Sequence, residues 1–245
     1  MVDSVGQLGS GIDALMKEYH TVAHNIANVN TTGYKRRVNS FSRELMNQIS
    51  GGGEESVSAA EIKANGSIDF SAGSLLGTGR PLDVAILGSG FFVVETPDGP
   101  LYTRNGVFQV NTQGQLVDLE NRIVAGEGGP VVVPPTVSEL EVNIAGDGNV
   151  KAGQALLGKL RVVDFGDRES ELESAGKNCF RVGPDLLPGV AENMSLKQGY
   201  RENSNVKLVE ELVDLIGVSR LYEMNMGLLR KRRENSQAML SVANS

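Results

Sequence analysis

Chemistry-bearing residues are few in this chain, and their spacing excludes more than it offers. The two histidines, His20 and His24, lie four residues apart, a spacing that puts both rings on one face of a helix and could hold a metal ion. No Glu follows His20 in an HExxH arrangement and no third ligand is apparent, so the pair reads as two polar residues on an outer helix face. The carboxylates Asp83, Asp118, Glu120 and Asp164 fall in a strand-rich stretch with no histidine to complete a Ser-His-Asp centre. Acids near strand ends are what a soluble β domain carries in any case. "LGSGFF" has a glycine pair but runs on into apolar strand residues, not a helix N-terminus, so it reads as a tight turn at Gly88 and Gly90 and not as a phosphate cradle. Cys179 is the single cysteine; it can form no disulfide within the chain and reads as a small buried apolar residue. The basic run Arg230 to Arg233 lacks interleaved aromatics and reads as a solvated or inter-subunit face. No catalytic, cofactor-binding or metal residue is assigned.

The elements that carry these residues follow from the hydrophobic period. Leu8, Ile12, Leu15, Tyr19, Val22 and Ile26 recur at spacings of four and three, the heptad stripe of a helix made to meet another helix. The same rhythm returns as Leu208, Leu212 and Leu215, then Tyr222, Met226 and Leu229. These twelve residues form the expected assembly seam. Asn28, Asn30 and Gly33 end the first helix, and Lys35, Arg36 and Arg37 make either a solvated exit or a contact with an acidic neighbour. Asn203, Ser204 and Asn205 are candidates to cap the last helix. Gly217 and Gly227 within it are either tolerated flaws or points of close helix approach.

A short helix or arm is expected from Asn39 to Gln48, followed by a glycine-rich linker at Gly51 to Gly53. Beyond it the period changes to short alternating or apolar runs such as "GFFVVET" and "KLRVVDF", separated by turn signals. The expected fold is a mainly β central domain of short antiparallel strands, with long N- and C-terminal α-helices pairing as a coiled coil. Residues 1–33 and 205–245 are expected to form the discontinuous helical domain, 34–70 and 185–204 the connecting segments, and 71–184 the antiparallel β domain. A net charge of −7 speaks against nucleic acid or an anionic membrane as partner. The absence of Trp removes the usual aromatic platform for glycans. No apolar run approaches the roughly 18 residues of a membrane span, and no basic stretch followed by an apolar block opens the chain. Membrane insertion and a cleaved signal are therefore not expected.

Three strings, taken together, resemble one family. "NIANVNTTGYKRR" (25–37), "GRPLDVAILGSGFFVV" with "YTRNGVFQVNTQGQLV" (79–117) and "QGYRENSNVKLVEELVDLIGVSRLYEMN" (198–225) are similar, in order, to the signatures of bacterial flagellar rod and hook proteins. The family's "LEGSNV" stands here as "YRENSNV". The matched motif positions are Asn25, Asn28, Thr31, Gly33, Tyr34, Lys35, Ser204, Asn205 and Val206. The resemblance implies a structural, non-enzymatic subunit of the basal-body rod, exported through the flagellar type III apparatus without a cleaved signal and polymerised through its terminal helices. Its implied partners are copies of itself, other rod subunits, the export apparatus and the ring proteins around the rod. Length and the strings "GEGGPVVVP" and "YEMNM" are closer to the proximal rod type than to a distal rod or hook subunit. A peptidoglycan hydrolase and a glycan-binding β module are the competing readings, and the histidine positions and the missing Trp speak against them.

Overall fold

The computed structural model describes residues 3–39, 66–191 and 194–243, with side chains described from residue 11 onward except at 232–233 and 235–243. The expected arm at 40–48 and the glycine linker at 51–53 lie outside the described residues, as does the Leu8 side chain. The chain divides into a helical unit, Met1–Asn28, Arg36–Asp69 and Val206–Ser245, and a β unit, Val29–Lys35 and Phe70–Asn205.

In the helical unit α1 spans Asp3–Ala27 and α2 spans Leu208–Ala243, and the two lie against each other. A short antiparallel ladder joins β1 (Arg37–Asn39) to β2 (Gly66–Ile68). Helix α1 stops where the Asn28 side chain donates to the His24 carbonyl at 2.8 Å, which satisfies one of the carbonyls a helix end leaves open. No helix among the described residues is long and apolar enough to cross a membrane.

A coiled coil of long helices at both ends is not what the chain forms. The architecture is mainly β, with an N-terminal helix of 25 residues and one C-terminal helix of 36. The residues buried on α1 are Leu15, Glu18, Val22 and Asn25, whereas Tyr19 is 40% exposed. On α2, Glu211 is the one buried residue among those described; Leu208 and Leu212 are exposed, and Leu215, Tyr222, Met226 and Leu229 are half-buried. A coiled coil needs apolar residues at both seam positions of each heptad. Among the described side chains, three of the five buried helix positions are polar residues with hydrogen-bonding partners, and part of the apolar set is turned outward.

The β unit contains β3 (Leu75–Gly77), β4 (Val84–Gly88), β5 (Phe91–Thr96), β6 (Gly99–Thr103), β7 (Gln109–Val110), β8 (Leu116–Val117) and β9 (Ile123–Gly126). After β10 (Gly129–Pro130) come β11 (Val142–Ile144), β12 (Asn149–Ala152), β13 (Ala155–Lys159) and β14 (Val162–Asp164). The last are β15 (Glu173–Gly176), β16 (Cys179–Arg181), β17 (Gly189–Val190), β18 (Met194–Gln198) and β19 (Tyr200–Glu202). Residues 185–204, read from the sequence as a connector, thus carry three strands. The largest sheet runs β15-β16-β6-β5-β9-β8-β7, with β14 also beside β5; β18 pairs with β4, and β19 with β3.

Strand β5 is the centre. Phe91, Phe92, Val93 and Val94 are all buried, so both sheet faces are covered and the run is continuously apolar, not alternating. Phe92 and Val94 join the main core with Phe108, Leu116 and Leu160, and Phe92 meets Phe108 edge to face at 5.0 Å. Phe91 points the other way, into a cluster with Phe70, Phe165 and Phe180. Gly88 and Gly90 take φ of +95° and +117° in the turn that delivers β4 into β5, a conformation open to glycine at little cost. Cys179 is buried in the main core, and burial pushes its thiol pKa up. We expect iodoacetamide at pH 8 to label Cys179 at least about 100-fold more slowly in the folded chain than in urea; equal rates would contradict the burial.

Candidate functional site

Asn25 closes the first helix by an arrangement only a side-chain amide can make. Its Nδ2 donates to the Arg37 carbonyl and its Oδ1 accepts from the Arg37 N–H, both at 2.9 Å, so one residue imitates a strand partner for β1. The same Nδ2 donates to Glu211 Oε2 at 3.0 Å, and Arg36 pairs with the other oxygen of Glu211. One turn earlier, Asn39 donates to Glu18 and to the Thr21 hydroxyl at 2.9 Å each. These bonds make Glu18, Asn25 and Glu211 the inward residues of their helices. Burial pulls the Arg36 pKa down, but its bond and charge attraction to Glu211 outweigh that and leave it raised. Asp214, 3.7 Å from Arg36, has its pKa raised by burial and by the neighbouring Glu211 charge.

In the β unit the remaining motif residues form a second polar node. A turn runs from the Thr31 carbonyl to the Tyr34 N–H, with Gly33 at φ +67°. A Cβ there would stand 2.5 Å from the Asn105 nitrogen, so glycine is required for space as well as for conformation. Tyr34 and Lys35 are buried. The Lys35 ammonium donates to Glu202 Oε1 and to the Ser71 carbonyl, both at 2.7 Å. Burial lowers its pKa, and the Glu202 charge offsets part of that. Ser204 is buried, and Asn205 donates to the Ser71 carbonyl and hydroxyl. Val206, in the helical unit, is buried just before α2. The acidic partners of Lys35 and Arg36 thus belong to their own chain, and Arg37 is engaged through its backbone. Sequence reasoning missed Glu18, Glu202, Glu211 and Arg104. For Glu18 and Glu211 the available signal was spacing, each standing three residues after one apolar residue of the rhythm and four before the next, Leu15 and Val22 for Glu18, Leu208 and Leu215 for Glu211. Glu202 on β19 and Arg104 just after β6 carry no such signal.

The third feature is a face of α2. Val209, Val213, Ile216, Met224 and Leu228 are all more than half exposed, Val209 at 74% and Ile216 at 54%. Their spacing places them along one side, away from the Glu211 row. Leu208 and Leu212 flank this stripe. Ile12 and Ile26 on α1 are half-buried. A Cβ added at Gly217 or Gly227 would meet nothing within 4 Å among the described residues, so neither is a point of close approach to any of them. We expect Gly217→Ala to stabilise the helical unit by about 1 kcal/mol, read as a rise in its thermal midpoint; a fall would contradict the open surroundings.

The carboxylates of the β unit are held apart by separate partners. Asp118 pairs with Arg122 at 2.6 Å, Glu120 with Lys177 at 2.7 Å and Asp83 with Arg80 at 3.6 Å, while Asp164 accepts from the Ser89 hydroxyl. Among the described residues no group of three or more His, Cys, Asp or Glu is placed to hold a metal ion.

Three family models match the chain in sequence: "Flagella basal body rod protein" over residues 8–35, "Flagellar hook protein FlgE/F/G D1 domain" over 85–152, and "Flagellar basal body rod FlgEFG protein C-terminal" over 197–242. The flagellar basal-body rod protein FlgG of Agrobacterium fabrum is 33% identical over 88% of this chain and 90% of its own length. The flagellar basal-body rod protein FlgF of Mesorhizobium japonicum is 31% identical over 100% of this chain and 99% of its own. FlgF of Salmonella typhimurium is 31% identical over 90% of each. The matched models cover the Asn25 and Lys35 nodes, the core around β5 and the exposed face of α2, and with these relatives they establish that the chain belongs to the flagellar basal-body rod protein family.

Proposed function

We propose that the chain is a structural subunit of the bacterial flagellar basal-body rod, of the proximal type, that packs with copies of itself and with other rod subunits into the helical shaft that transmits torque. The observation that carries this reading is the apolar stripe on α2 from Val209 to Leu228. The exposed Arg220 stands between Ile216 and Met224 on this face, and the apolar patches on either side of it mark a place where another protein sits. Burying each Val, Ile, Leu or Met is worth roughly 1.5 to 3 kcal/mol, so a neighbour covering the stripe has a strong drive to stay. The alignment with a FlgF relative over 100% of this chain and 99% of that protein supports a rod subunit.

On this reading the chain is not an enzyme, reaches the rod through the flagellar export apparatus, and is enclosed there by the ring proteins of the basal body. The seam is revised accordingly: Leu15 and Val22 stabilise the subunit itself, while Tyr19, Leu208 and Leu212 join the α2 stripe as contact residues. Electron microscopy of purified basal bodies tests this directly. The chain's density is expected as a helical array within the rod, and basal bodies with complete rods that lack the chain would refute it.

A further inference from the structure

Glu202 makes three hydrogen bonds to two separate segments of the β unit at once. Its Oε1 accepts from the Lys35 ammonium at 2.7 Å and from the Gly73 N–H at 2.8 Å, and its main-chain carbonyl accepts from the Gly33 N–H at 2.8 Å. The side chains of Lys35 and Glu202 are each 1% exposed, and 167 residues separate them in sequence. Thr32 is held as well, its carbonyl accepting from Asn178 Nδ2 at 3.1 Å. Gly33 rests against the backbone of Arg104 and Asn105 with no room for a side chain.

The nearby cation does not take the place of Lys35 in this geometry. Arg104 stands 3.8 Å from Glu202 Oε2, beyond hydrogen-bond reach, and that oxygen has no hydrogen-bond partner among the described residues. The guanidinium donates instead to the Gly88 carbonyl at 2.9 Å and lies 5.1 Å over the Phe91 ring, with its Nε also left without a hydrogen-bond partner among the described residues. If residues 29–35 leave their seat, Glu202 keeps one backbone N–H and a guanidinium beyond hydrogen-bond distance. An isolated buried carboxylate is far more costly than either a completed pair or an apolar pair of the same shape.

We propose that Val29–Lys35 is a strap keyed by Glu202: the β unit reaches its closed form only when an N-terminal segment and the C-terminal strand β19 are both in place, and partly docked forms are penalised by the unpaired carboxylate. The ion pair supplies the all-or-none character; apolar residues would hold the strap yet tolerate its partial release. The device is internal to the β unit, so its failure would leave the rod reading untouched.

Hydrogen exchange on the full chain tests it with Lys35→Met, Glu202→Gln and the double variant. Lys35→Met is expected to speed exchange at both Gly33 and Gly73, the two amides that donate to Glu202, by about 100-fold or more, because the loss of one partner of a buried pair is strongly destabilising. Phe91 to Val94 stay protected. The double variant, which removes both members of the pair and leaves Arg104 to the charges of Glu169 and Asp164, returns both amides to within about 10-fold of the parent, far short of the product of the two single effects. Loosening confined to residues 33–35, or multiplicative effects in the double variant, would overturn the proposal. Should Lys35→Met fail to fold, recovery of the fold in the double variant supports the strap, and failure of both overturns it.

Discussion

Ile216→Asp is expected to leave the purified chain folded and to abolish its incorporation into rods. Ile216 lies on the exposed stripe of α2, and a substitution at such a surface position changes stability by about 0.5 kcal/mol or less. In a subunit contact the new carboxylate would be desolvated without a partner, which costs several kcal/mol at every copy. Urea unfolding followed by helical circular dichroism, set beside motility and basal-body fractionation, separates the two effects. Normal motility would refute the α2 stripe as a contact surface. A charge at Leu15, which the heptad pattern suggests as an equivalent test, is not equivalent. Leu15 is buried within the subunit, so Leu15→Asp should unfold the helical unit and stop assembly for that reason alone.

Glu211→Ala is expected to cost the helical unit about 2 to 3 kcal/mol, near the low end for one half of a buried pair because Arg36 is partly solvated. The carboxylate accepts from both Asn25 and Arg36, and its loss removes the partners of two groups that hold the helix exit. Glu211→Gln keeps the shape and one acceptor and should cost less than half as much. The measurement is the urea midpoint of the helical signal, with the β unit followed separately by hydrogen exchange at Phe91 to Val94. An Ala variant as stable as the parent would show that the node is incidental. The pair Glu211 and Ile216 is instructive, because on one helix the charged residue is inside and the apolar one outside.

That inversion explains what sequence reading could and could not reach. Both helices, the strand-rich middle and the turns at Gly88 and Gly90 follow from local rules: apolar period, glycine placement and alternation act over a few residues, and the backbone obeys them wherever the segment sits. The motif positions Asn25, Gly33 and Lys35 were visible as a string, but their roles were not. Asn25 works because Arg37 and Glu211 meet it, and Lys35 because Glu202 does.

The helix faces are the sharper case. A heptad count assigns apolar residues inward, so it selected Tyr19, Leu208 and Leu212 and passed over Glu18 and Glu211. Burying a carboxylate is unfavourable until a donor is fixed opposite it, and those donors come from a different part of the chain: Asn39 for Glu18, and Asn25, 186 residues away, for Glu211. Local pattern therefore indicated the family, the two helices and the strand-rich middle, while the strands β17 to β19 lay in a stretch that reads locally as a connector. Which side of each helix is core, and which is left free for a neighbour, depended on hydrogen-bond partners brought together by folding, because desolvation of a polar group is offset only where its partner is in place.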